Sequence, residues 1–364
     1  MGDLQIPFTK PTPLPGAEYW LNLRFVLNRD MPWAAKGHTI GWDQFKLPIH
    51  KPRANSSTSC PKGELVLAAS TDAFDISGPD MRISFNRKNS RMQSYVVHGI
   101  ERILKGPADN FFRAPTDIDL CNGTANTFAA RWLAAGLDRL QRRVLDCTAA
   151  RHDIGTVVIR SRTAFGPANG PEVFQCETFC SIATDGAMSF THHVLADSNL
   201  PPLPRVGVEW TLPAAFNNLT WYGRGPHENY LDRKTSAMVG LYQSRVAEQY
   251  VPYIFPQENG GKEDVRWLAL TDSSGIGLMI QALPLLHIDA HHNTIRDFHE
   301  ATHAHQIRAR NEVVLHLDVA HCGLGGDIGW GPSIHPEYLI KPGSHGYSYQ
   351  VRPLTAGENA TTMT

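Results

Sequence analysis

The stretch His299-Glu300-Ala301-Thr302-His303 spells H-E-x-x-H. On a helix, from Arg296 to Ala304, its two imidazoles would lie one turn apart and could chelate zinc, with Glu300 as general base. The chain carries 17 histidines, and His287, His291, His292, His305 and His316 crowd the same region, so accidental spacing is expected and no third ligand stands out. His299 and His303 are therefore expected to hold no metal. Trp330 is the second candidate, set between Gly329 and Gly331 in the loop Gly323-Leu324-Gly325-Gly326-Asp327-Ile328-Gly329-Trp330-Gly331-Pro332-Ser333. A large aromatic without local partners either plugs the sheet end as core or offers its face to a flat ligand such as a sugar ring. Gly323-x-Gly325 makes no dinucleotide fingerprint, because position 328 is Ile and Pro332 denies the loop a following helix.

Two further regions set carboxylates in dense patterns. In Phe111-Phe112-Arg113-Ala114-Pro115-Thr116-Asp117-Ile118-Asp119, an Arg among apolar residues is followed by two carboxylates, which suggests a semi-buried ion network pinning a loop. Glu228 lies in Trp221-Tyr222-Gly223-Arg224-Gly225-Pro226-His227-Glu228-Asn229-Tyr230-Leu231-Asp232-Arg233, and Glu258 in Tyr250-Val251-Pro252-Tyr253-Ile254-Phe255-Pro256-Gln257-Glu258-Asn259-Gly260. A retaining glycosidase needs its two carboxyl groups about 5–5.5 Å apart. Chain spacing alone leaves that test open.

The elements that must position these residues read as all-β. Short alternating runs such as Met81–Asn86, Phe174–Ile182, Met188–Leu195, Val206–Leu212 and Val313–Ala320 are punctuated by Gly, Pro and Asn turns, which indicates a large sandwich. One helix is expected near Thr127–Ala135, capped by Asn126, with Phe128 and Trp132 on one face and Gly136 ending it. Residues 1–50 supply only part of a sandwich, residues 51–62 read as a linker, and residues 63–364 form the main domain. A net charge of −1 with 19% charged residues gives no sign of nucleic acid or membrane as partner. Apolar runs such as Ile276 to Leu286 are broken by Gly, Gln and Pro, and Met1 is not followed by a signal-like stretch. Six cysteines without framework spacing suit reduced thiols in a cytoplasmic protein.

Four ordered motifs carry a family resemblance across about residues 15–352. The Trp221–Arg233 block, Tyr250–Gly260, Phe111–Asp119 and the Trp330 loop resemble the last domain of glycoside hydrolase family 2 β-galactosidases, with Gly329 and Ile118 standing where the family usually has Ser and Asn. The resemblance implies a large β-supersandwich, galactose-mutarotase-like, preceded by a partial fibronectin III/immunoglobulin-like segment. It implies retaining hydrolysis of terminal β-D-galactosides such as lactose, with acid and nucleophile on a (β/α)8 barrel that this sequence does not contain. No catalytic residue is therefore expected here. Trp330 is implied as the substrate-binding platform, and Cys121, Asn122, Gly123 and Thr124 as a pocket loop. Arg113, Asp117, Asp119, Glu228, Asn229, Glu258 and Asn259 would fix loops, the two glutamates accepting backbone N–H bonds. Mg²⁺ and Na⁺ are implied for the complete enzyme and no cofactor for this chain, with a barrel-containing chain as partner in an oligomer. A stand-alone carbohydrate-binding or mutarotase-like protein and a zinc protease are the competing classes.

Overall fold

A strand that alternates in burial fixes one face to the core, and this chain repeats that device throughout. In Met188–Ala196 every second side chain is buried, from Met188 through Phe190, His192 and Val194 to Ala196. Arg205–Pro213 is buried on both faces over most of its length, which makes it a central strand. The computed structural model describes residues 5–52, 63–121, 126–153, 155–327, 334–358 and 360–362. Among these, two compact units separate at residues 1–60 and 61–364.

The larger unit is an antiparallel sandwich. One path runs from Gln141–Asp153 through Thr156–Gly166, Phe174–Ala183 and Met188–Ala196 to Ser344–Leu354. A second runs from Met81–Asn86 through Arg91–Val97 and Lys105–Asn110 to Arg205–Pro213 and Glu312–His321. The 15-residue strand Gly277–His291 joins the two: residues 277–283 pair with Ser344–Leu354, and residues 287–291 pair with Glu312–His321. The all-β, supersandwich expectation therefore holds. Trp132, Trp210, Trp221, Tyr95, Tyr349, Phe174 and Phe190 are among the largest side chains sealed in its core.

Several local expectations change. The helix Phe128–Ala134 is capped by Thr127 rather than Asn126: the Thr127 hydroxyl accepts the Ala130 N–H at 3.0 Å. Trp132 from this helix donates its indole N–H to the Pro202 carbonyl at 2.7 Å. Gln141–Asp153 and Met238–Arg245 form strands where none is expected; among the described residues each pairs with a single neighbour, and Gln141–Asp153 carries the polar residues that suit a sheet edge. Cys176 and Cys180 lie on Phe174–Ala183 as free buried thiols, and Cys121, Cys147 and Cys322 are free as well.

Among the described residues the smaller unit holds one antiparallel pair, Trp20–Val26 with Thr39–Lys46. Two strands cannot bury both sides of a sheet. Phe25, Trp33, Ile40, Trp42 and Phe45 stay exposed accordingly. No described helix is long and apolar enough to cross a membrane.

Candidate functional site

Arg113 is sealed from solvent and clamps the start of the glycine-rich loop. Its guanidinium forks onto Asp119, Nε to Oδ2 at 3.1 Å and Nη2 to Oδ1 at 2.8 Å. Two of its three remaining protons go to the carbonyls of Cys322 at 2.6 Å and Gly323 at 3.0 Å. Burial opposes the charge, but Asp119 outweighs it and holds the guanidinium protonated. Asp119 is presented by a single helical turn, Asp117–Leu120. Thr116 opens that turn with a capping box: its hydroxyl accepts the Asp119 N–H at 3.2 Å, while Asp119 accepts the Thr116 N–H at 2.9 Å. The ion network expected of Arg113 thus selects Asp119 alone. Asp117 is exposed and bonds the Gln257 side chain instead, taking its amide N–H at 3.1 Å. Cys121 closes the turn in a left-handed conformation with φ 39°.

A second grip comes from Asp232. Its carboxylate accepts the N–H of Leu324 at 3.0 Å and of Gly325 at 2.7 Å. The glycines are required at this point. A Cβ on Gly323 would sit 2.6 Å from the Asp232 carboxylate, and Gly325 turns at φ +76° with Ile118 against it. Further on, His335 meets Asp327 across the neck of the loop. Trp330, Asn122, Gly123 and Thr124 lie outside the described residues.

The other two motifs interlock beneath. Glu228 accepts the Gly260 N–H at 2.8 Å and an Arg233 N–H at 2.6 Å, and accepts a hydrogen bond from the Tyr253 hydroxyl. Asn229 accepts the Glu263 N–H at 2.8 Å and donates its own backbone N–H to Gly261 at 2.8 Å. Asn259 accepts the Val251 N–H at 3.0 Å and donates to the Gln257 carbonyl at 2.9 Å. Gln257 reaches the Asp117 N–H at 3.2 Å, and the Glu258 N–H reaches the Ala114 carbonyl at 3.1 Å. Four stretches scattered from residue 111 to residue 335 therefore form one brace.

Glu258 departs from its expected role. Among the described residues its carboxylate takes no backbone N–H, and it lies 3.5 Å from Arg205 Nη1 and 3.6 Å from His321 Nε2. Burial raises its pKa to about 7 although Arg205 pulls the other way. Arg205 also binds Asp289 at 2.8 Å and Asp318, Nε to Oδ2, at 3.1 Å. His316 stands between Asp289 at 2.6 Å and Glu209 at 3.2 Å. Burial alone would lower the His316 pKa, yet Asp289 and Glu209 push it up to about 10 against the opposing Arg205. His287 meets Glu263 at 2.8 Å and stacks on His321 with ring centroids 4.3 Å apart. A recess of about 600 Å³ is lined by Glu263, His287 and His321 together with Tyr338 and Lys341.

This cluster escapes the sequence reading because its members sit on strands 205–213, 262–271, 277–291 and 312–321, with Glu258 on a loop. One signal was available: His287-Ile288-Asp289-Ala290-His291 and His316-Leu317-Asp318 place polar residues at period 2 inside apolar strands. The cluster also gives a pH test. A raised histidine pKa adds stability that is complete below about pH 6.5 and fades as pH rises towards 10. Lys262, lowered to about 8 by burial, has the opposite slope. The advantage in melting temperature of the native chain over His316→Gln should therefore shrink between pH 6.5 and 10, and a constant difference over that range would refute the charged His316.

The H-E-x-x-H stretch is not a single helix. Thr294 caps a helix of Ile295–Glu300, and Ala301 is already extended at φ −77°, ψ 137°. Its two histidines therefore lack the one-turn relation that chelation needs. His299 packs edge-on against Phe112 at 5.2 Å, Glu300 pairs with Arg296, and His303 contacts Thr302.

Residues 77–352 match the family described as "Beta galactosidase small chain", and residues 2–48 match "Beta-galactosidase, domain 4". A β-galactosidase of Priestia megaterium is 30% identical over 338 residues, covering 93% of this chain and 32% of that protein. One from Vibrio cholerae is 31% identical over 359 residues, covering 96% and 34%. The chain spans about a third of the length of these curated relatives. Among solved structures, a galactose 1-epimerase of Lactobacillus acidophilus overlays 82% of this chain and 99% of its own at 8% identity, with a TM-score of 0.40.

Proposed function

The chain belongs to the β-galactosidase small-chain family, and we propose from that premise that it helps form the galactoside pocket of a retaining β-galactosidase. Terminal β-D-galactosides such as lactose are the substrates of this reading. The double grip of Arg113 and Asp232 on Cys322–Gly325 supports it most. Such anchoring holds the foot of a loop in one geometry, which is what a loop must have if Trp330 is to offer a fixed face to a sugar ring. The acid and the nucleophile come from a barrel-bearing chain or segment, and Mg²⁺ and Na⁺ belong to that part. The complete enzyme is an oligomer that works in the cytoplasm.

Positioning groups without the two carboxylates cannot supply most of the barrier reduction. Assayed alone, the chain should hydrolyse a chromogenic β-galactoside at background rate. Mixed with the matching barrel-bearing part, it should restore turnover. Robust turnover by the chain alone, abolished by Glu228→Gln or Glu258→Gln, would overturn the reading.

A further inference from the structure

We propose that Glu258, His287 and His321 form a binding site for one divalent cation of the zinc class. All three are buried, and one ligand atom of each lies within 4.8 Å of the others. The two imidazoles stack at 21° with centroids 4.3 Å apart, and each has its Nδ1 engaged by an oxygen acceptor. His287 places Nδ1 2.8 Å from Glu263, and His321 places Nδ1 3.1 Å from the Cys322 carbonyl. A carboxylate and a carbonyl only accept, so each Nδ1 carries the proton and each Nε2 presents its lone pair. Arg113 Nη1 also approaches His321 Nδ1, but at 3.5 Å, farther than the 3.1 Å that separates this nitrogen from the Cys322 carbonyl. The carbonyl therefore decides the tautomer.

Neither Nε2 meets a donor among the described residues. Two buried lone pairs and a carboxylate held within 4.8 Å of one another repel unless something positive lies between them. The 3.6 Å from His321 Nε2 to Glu258 Oε1 is close to the ~3.4 Å edge of a tetrahedron with zinc-length bonds. Two nitrogen donors and one carboxylate select zinc or a similar ion over magnesium or calcium. Arg205 lies 3.5 Å from the other Glu258 oxygen, but Asp289 and Asp318 hold it and offset its charge. Gly261 keeps the backbone thin here, since a Cβ would lie 2.8 Å from His287 Nε2. The 600 Å³ recess lined by His287 and His321 gives the ion a route and leaves room for a fourth ligand such as water. A cation there would tie the strands of His287 and His321 to the loop of Glu258. This departs from the sequence expectation of a metal-free chain and does not depend on the galactoside reading.

The test uses the full chain stripped with a chelator and titrated with Zn²⁺ by calorimetry and with Co²⁺ by visible spectroscopy. One ion per chain, a raised melting temperature and the intense visible bands of a four- or five-coordinate Co²⁺ are expected. His287→Ala and His321→Ala should each weaken binding on the order of 100-fold or more, and Glu263→Gln by about 10–100-fold, the usual cost of losing an outer partner. His303→Ala should change nothing. No saturable ion, or binding that survives both histidine substitutions or is lost in His303→Ala, would overturn the site. If the ligand variants do not fold, the native Co²⁺ spectrum decides, and weak bands of a six-coordinate ion would count against it.

Discussion

Trp330→Ala in the complemented enzyme is expected to cut turnover of a chromogenic β-galactoside by ~10–100-fold, and to weaken galactose binding with it. By analogy with base–aromatic stacking, such a contact is worth roughly 1–3 kcal/mol. Asp232→Ala should reproduce part of that loss from a distance. It leaves Trp330 in place but removes the acceptor of the Leu324 and Gly325 N–H groups, 3.0 and 2.7 Å away. The loop then has more conformations to lose when substrate binds. Steady-state kinetics of the two variants with the barrel-bearing part check both statements. Unchanged kinetics in Trp330→Ala would remove the stacking role, and full activity in Asp232→Ala would show that the grip on the loop is dispensable.

The largest effect on stability is expected from Arg205→Met. Arg205 is the positive partner of the buried Asp289 and Asp318 and lies 3.5 Å from the buried Glu258, and His316 beside Asp289 offsets only a part of these charges. Removing one partner of a buried ion pair costs about 3–5 kcal/mol, because the stranded charges have no solvent to turn to. The exposed pair Arg296–Glu300, with side chains 80% and 59% accessible, makes the control. Arg296→Ala should cost less than ~1 kcal/mol. Urea unfolding of both variants tests the contrast, and equal midpoints would mean that the buried cluster contributes no more than a surface pair.

How far the sequence led depends on how local each signal was. The alternation in Met188–Ala196 and the helix around Phe128 and Trp132 could be read, because their cause lies in neighbouring residues. Gln141–Asp153 could not, since an edge strand with Arg142, Arg143 and Asp146 carries the polarity of a loop. In Phe111–Asp119, the presence of an ion network was legible, but the choice of Asp119 over Asp117 was made by the capping box of Thr116. Glu228 and Glu258 read alike, each followed by Asn. What separates them is tertiary: Glu228 meets Gly260 and Arg233 near the surface, while Glu258 turns inward to an arginine 53 positions earlier in the chain. The Arg205 cluster needed three strands to be laid side by side before its charges could be seen as one group.

The interlocking of the four motifs also constrains how such genes can recombine. Glu228 is met by the backbone of Gly260, Asn229 by Gly261 and Glu263, and Gln257 by Asp117. A crossover between residues 233 and 257 would draw the two halves of these contacts from different parents. Each half could be well formed in its own lineage, and the hybrid could still bring together a carboxylate and a turn that do not meet. Descent should therefore transmit residues 113–119, 228–233, 257–263 and 322–325 as a linked set, despite the long stretches of chain that separate them.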